Sequence, residues 1–227
     1  MRRIDGGNPA RYESAVRRWL AMIRKEPHAL IAGSVLFALA ALPIVTLGPA
    51  WLAAVRYMSM RERGESIDYR GAARFAFRDR GGAAWLMGLT DALALAMAGG
   101  CVLIMLSEEA ALALRALYAG LFVLDMTYLA SGIYRYSALN DEPDARAGML
   151  AARGFLMTLA RPGWTLLFRC AQLLALIVCA ATGVGLVMLY PAASALLEAV
   201  AYDETAASYT RTDDETEDDD GQDFPDE

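Results

Sequence analysis

Three charged residues stand inside stretches that are otherwise apolar. Asp91 lies in AAWLMGLTDALALAMAGG, Asp125 in ALYAGLFVLDMTYLASG and Arg169 in GWTLLFRCAQLLALIVCAA. Read as bilayer helices at 1.5 Å per residue, these sequences put the charges about 12, 13 and 8 Å deep from one surface. An ionised Asp or Arg at a helix centre costs about 2.5–3.5 kcal/mol on insertion scales. Such groups must face inward and pair, or become neutral. Two acids around one Arg leave a carboxylate free to titrate, so one reading is a polar pocket or proton-handling site. A second is an ion pair that fixes helix packing. A third is an Arg169 that snorkels to the interface. Arg115 and Glu198 lie nearer helix ends and need less explanation.

Other chemistry is thinly represented. His28, the single histidine, sits at the edge of an apolar run. Cys101, Cys170 and Cys179 fall within apolar runs without CxxC spacing, as packing thiols do. This pattern implies no disulfide framework, no metal and no cofactor. No GxSxG, HExxH, phosphate-binding loop or dinucleotide fingerprint is present, which argues against an enzyme.

The elements that carry the charges are long apolar helices. Of the 227 residues, 56% are hydrophobic, against 45–50% in a typical soluble domain. A bilayer core takes about 20 apolar residues per helix, and residues 29–55, 83–106, 110–134 and 164–201 supply such runs. The sequence predicts an all-α, polytopic membrane bundle of about six transmembrane helices, four of them clear, with interfacial amphipathic helices between. The basic residues cluster at 1–28, 56–82 and 135–163. The positive-inside rule places all three clusters, and both termini, in the cytoplasm of a cell-membrane protein. The segments between them must then cross an even number of times.

That constraint bears on LPIVTLGPAWLAAVRYM, residues 42–58. One helix over 29–55 would be about 40 Å long, too long for one crossing of a core roughly 30 Å thick and short of two. The expectation is two short helices, about 29–44 and 49–62, with Pro43, Thr46, Gly48 and Pro49 forming the turn. The alternative is one kinked span. Residues 164–201 divide likewise at Thr182-Gly183-Val184-Gly185. AARFAFRDRGGAAW (72–85) and AARGFLMTLARPGW (151–164) echo each other, and SAVRRWLAMIRKEPHAL is a looser third copy. Three units are expected, each an amphipathic helix, a Gly or Pro break and a hairpin. Trp85 and Trp164 fit an interfacial aromatic belt.

From Asp203 onward twelve acids face one Arg. Such a segment buries too little apolar surface to fold alone. The expected division is a membrane domain at 1–202 and a disordered acidic tail at 203–227. The Arg clusters suit anionic lipid and topology, not nucleic acid.

Leu42, Pro43, Thr46, Gly48, Pro49, Ala50, Ala54 and Tyr57 resemble the Leu-Pro-x-x-Thr-x-Gly motif and following helix of the YesL-like family, integral membrane proteins carrying domain of unknown function 624. RGAARFAFRDR (70–80) is similar to that family's basic segment, and the resemblance covers roughly residues 28–105. It implies an accessory role in carbohydrate transport, with the lipid bilayer and transporter subunits as partners, and it carries over no catalytic residue. The function expected is therefore a non-enzymatic membrane protein that supports or assembles with a transport system. The alternative is a small transporter or channel that uses Asp91, Asp125 and Arg169.

Overall fold

The computed structural model describes residues 9–43, 46–65, 68–107, 111–142 and 145–217. Among them the chain is all-helical. Helix α1 (Pro9–Lys25) precedes a hairpin of α2 (Pro27–Ala41) and α3 (Leu47–Glu62). Helix α4 (Tyr69–Arg74), continued by a π-helical turn at Phe75–Asp79, precedes α5 (Gly81–Leu106) and α6 (Leu112–Asp141). Helix α7 (Ala147–Ala160) precedes α8 (Pro162–Ala181), the short α9 (Val184–Met188) and α10 (Tyr190–Glu217). The three-unit order expected from the echo is thus present. The breaks share a backbone form, with φ, ψ of −135°, 55° at Glu26, −123°, 12° at Arg80 and −138°, 63° at Arg161.

Helices α5, α6 and α8 are long and apolar enough to cross a membrane. Many of their large apolar side chains point outward. Leu93 and Leu103 on α5, Leu117 and Leu124 on α6, and Leu173 and Leu174 on α8 are exposed. An apolar face of this extent is unfavourable in water and suits the hydrocarbon of a bilayer. Helices α3 and α10 behave differently. Leu52, Val55, Leu196, Leu197 and Val200 are essentially inaccessible, so these two helices form the bundle axis. Alanines at 50, 53, 54, 192, 195 and 199 let neighbours approach them closely.

The first apolar stretch folds back on itself. Phe37 packs edge-on against Trp51 with ring centroids 5.4 Å apart. Gly33 faces Tyr57 and Met58, and Arg61 pairs with Glu26. Those pairings are antiparallel. The arms have 15 and 16 residues, about 22 and 24 Å, which is less than a full hydrocarbon core. The last apolar stretch also folds back: Gln172 meets Ser194 and Glu198, and Trp164 meets Thr205. Gly183, at φ +63°, makes the break, where a left-handed backbone suits glycine. Ser34 Oγ of α2 accepts a hydrogen bond at 3.1 Å from Ala192 N–H in the first turn of α10. It satisfies a donor that the helix cannot.

Two expectations need correction. The chain does not become disordered at 203, because α10 stays helical to Glu217. Thr205 is fully buried and bonded to Trp164, Asp203 pairs with Arg63, and a helix so anchored extends with one further bond per residue. The remainder of the acidic tail, 218–227, lies outside the described residues. Trp164 is not a lipid-belt residue either. It is 3% exposed and spends its indole N–H on Thr205 inside the bundle, while Trp85 is half-buried.

All three Arg clusters meet at one end. Arg18 of α1 pairs with Glu62 at 3.0 Å. Arg63 reaches both Asp141 and Asp203, and Arg153 of α7 pairs with Glu142. Arg56 lies 3.9 Å above the Phe75 ring, and Tyr69 packs against Tyr57.

Candidate functional site

The motif turn comes first, because it positions one wall of the site. Thr46 N–H donates to Pro43 O at 2.7 Å. The Thr46 hydroxyl lies 2.5 Å from Ala40 O and 2.6 Å from Pro43 O, so its single proton bonds one otherwise orphaned carbonyl at a time. Pro49 occupies the first turn of α3, where no intrahelical N–H bond is lost. Gly48 lies directly on α5. A Cβ there would collide with the Ala84 carbonyl oxygen, and a Cβ on Gly88 would lie 2.8 Å from Gly48 Cα. The two glycines let the start of α3 cross α5 with backbone touching backbone.

Just beyond this crossing lies a cavity of about 480 Å³. Asp91, Arg135, Arg169 and Glu198 line it, with Trp51 and Tyr136. Asp91 accepts from Arg135 Nη2 at 2.5 Å and from the Tyr136 hydroxyl at 3.0 Å. Arg135 is 1% exposed and stacks 4.1 Å above the Tyr128 ring. Its Nε and Nη1 are buried without a hydrogen-bond partner. On the far wall Arg169 donates to Leu129 O at 2.7 Å, Ala130 O at 3.1 Å and Gln172 Oε1 at 2.5 Å. Glu198 lies 4.0 Å from Arg169. It accepts from Trp51 Nε1 at 2.8 Å and Gln172 Nε2 at 3.2 Å.

The two guanidinium groups converge over Gly132. Arg135 Nη2 and Arg169 Nη2 lie 3.2 and 3.1 Å from the point a Gly132 Cβ would occupy. They are therefore no farther apart than those two distances combined. Like charges this close repel, and the acids on the outer sides, Asp91 and Glu198, offset that repulsion. The result is a set of two arginines and two carboxyl groups with the guanidinium groups innermost. Such a set can hold an anion between the arginines and, through the carboxylates, a proton or cation beside it.

Of the charges singled out in the sequence, Asp91 and Arg169 line this cavity, but they do not pair with each other. Asp125 does not line it. That residue is buried at 3% exposure ten positions before Arg135 on α6, about 15 Å along the axis, and its Oδ2 has no hydrogen-bond partner. Two members were missed. Arg135 belongs to the 135–163 basic cluster that charge alone places in the cytoplasm, but α6 runs on to Asp141 and carries it inside. Glu198, expected near a helix end, lies within α10, which runs on to Glu217. The signal in the sequence was Tyr134-Arg135-Tyr136, a charge between two large aromatics within an unbroken helical run. His28 is exposed, and among the described residues no three His, Cys, Asp or Glu side chains gather as a metal site. No protein-family model, curated protein or solved structure matches this chain.

Proposed function

We propose that this protein is a small, non-enzymatic transporter of the cell membrane that takes a charged solute into the cavity formed by Asp91, Arg135, Arg169 and Glu198. The observation that carries the proposal is that two acid–arginine pairs flank open space inside an apolar bundle. An ion pair kept only for packing needs no void beside it, and ionisable groups within a bilayer are costly unless they act. In this reading six helices traverse or enter the bilayer as three hairpins. The Arg-bearing end and both termini face the cytoplasm, as the positive-inside rule requires.

A second reading makes the chain an accessory subunit of a carbohydrate transporter. It rests on the YesL-like resemblance. One observation favours it: Pro43, Thr46, Gly48 and Pro49 build a turn and a helix crossing, not the cavity's charged lining. Reconstituted vesicles separate the two. Charged-solute or proton flux that disappears in Glu198→Gln and Asp91→Asn, with folding intact, supports transport. Absence of flux together with transporter subunits co-purifying from native membranes sinks that reading and supports the accessory role. Asp125→Asn, outside the cavity, should leave flux unchanged.

A further inference from the structure

A second hollow, of about 880 Å³, lies between α6, α7 and α8. Leu95, Leu129, Arg169 and Tyr190 line both it and the charged cavity. The two spaces therefore lie side by side, with Arg169 facing both. They differ sharply in chemistry. The outer groove is walled by Phe122, Val123, Met126, Leu159 and Leu166, of which Val123, Leu159 and Leu166 are 63%, 55% and 65% exposed on the lipid-facing surface. Its hydroxyls are already used: Thr127 donates to Val123 O at 2.8 Å, Thr158 to Gly154 O at 3.0 Å and Thr165 to Arg161 O at 3.2 Å. No polar ligand is asked for there. At the inner end, by contrast, two guanidinium groups converge over Gly132: Arg169 Nη2 there bonds only backbone carbonyls, Arg135 Nη2 bonds Asp91, and Arg135 Nε and Nη1, closed off from the surface, have no partner.

We propose that cavity and groove together bind one phospholipid with an anionic headgroup. Its phosphate lies between Arg135 and Arg169 over Gly132, and an acyl chain lies along the groove. The proposal rests on the reading that the cavity is the functional site, and it names the substrate class as an amphiphile that enters sideways from the bilayer. Two features support it. Arginine pairs match phosphate oxygens in geometry and charge. A water-soluble anion, moreover, would leave the apolar groove beside its site without an occupant. Gly132 is the necessary gap, since any side chain there meets both guanidinium groups.

The test uses the full-length protein in detergent, with native mass spectrometry of bound phosphatidylglycerol and phosphatidylcholine carrying the same chains. The expected result is phosphatidylglycerol bound about ten-fold more tightly or better, because both lipids present the same phosphodiester and only phosphatidylcholine adds a cation, which the two arginines repel. Gly132→Val should abolish that preference by filling the headgroup site. Arg169→Gln should do the same by removing a charge. Val123→Trp, at an exposed position that does not affect folding, should weaken both lipids by narrowing the groove. Equal binding of the two lipids, or full binding by Val123→Trp, overturns the proposal. So does glycerol phosphate that displaces the lipid and binds wild type and Val123→Trp alike; the cavity would then remain a site for a small soluble anion. If neither lipid nor glycerol phosphate binds, and flux ignores Glu198→Gln, the cavity reading falls as well.

Discussion

The ion pairs at the Arg-bearing end of the bundle and those in the cavity use the same side chains in different surroundings. At the end, Arg18, Arg61, Arg63 and Arg153 pair with Glu62, Glu26, Asp141 with Asp203, and Glu142. The arginines of that collar are 29–45% exposed. In the cavity, Arg135 is 1% exposed and its partner Asp91 is 22% exposed. Water screens the collar, so each pair there is worth about 0–1 kcal/mol and mainly sets the angle at which helix ends meet. Around Arg135 that screening is gone. The pair is held by need, since either charge alone would be stranded. The same bond is thus dispensable at one level of the bundle and obligatory at the other.

The largest effect should come from breaking the buried pair on one side only. Arg135→Met leaves Asp91 without its counter-charge and should lose about 3–5 kcal/mol, read from reversible unfolding in micelles. The double variant Arg135→Met with Asp91→Leu should recover most of that loss, because an apolar pair needs no compensation. A loss under about 1 kcal/mol for the single variant would mean the cavity is as wet as the collar, and the contrast would fail. Next in size is Gly88→Val. Overpacking the Gly48–Gly88 crossing should cost about 1–3 kcal/mol and lift α3 off α5. Water admitted there should also shrink the measured coupling between Asp91 and Arg135 towards collar values. Unchanged coupling would show that the crossing does not seal the cavity.

What could be read from the sequence followed the same divide. Helix type, the hairpin turn at Pro43–Pro49 and the three-unit order were legible, because they rest on local rules: apolar run length, proline and glycine chemistry, and repeated spacing. The meeting of the Arg clusters at one end was legible from charge alone. The cavity was only half legible. Depth along an axis can be counted, so Asp91 and Arg169 were found. Which way a residue faces depends on neighbours that the sequence does not name, so Asp125 was grouped with them although it lines neither hollow. Arg135 and Glu198 were misjudged for a related reason. Apolar runs mark where a helix becomes visible to hydropathy, not where it ends, and both residues sit on helices that extend past their runs. The acidic stretch after Asp203 misled in the same way, since composition alone does not report the anchoring of α10 by Trp164 and Arg63.

The smallest effects belong to the collar, and they sharpen the comparison through pH. Arg63→Gln should cost no more than about 1 kcal/mol, less at high salt. Asp203 gives the finer probe. Burial raises its carboxyl above the usual range, while the Arg63 guanidinium pulls it back down. A raised carboxyl favours the fold when protonated. Its contribution is complete below the unfolded value of about 3.9 and is lost as pH climbs through the folded value. Wild type should therefore lose stability relative to Asp203→Asn as pH rises from about 4 to neutrality. Without Arg63 the opposing pull disappears, so Arg63→Gln should make that loss steeper and Asp203→Asn should cancel the steepening. If Arg63→Gln leaves the pH slope as it was, the guanidinium does not act on Asp203. The collar would then be a set of side chains that merely lie close, with no electrostatics to compare with the cavity.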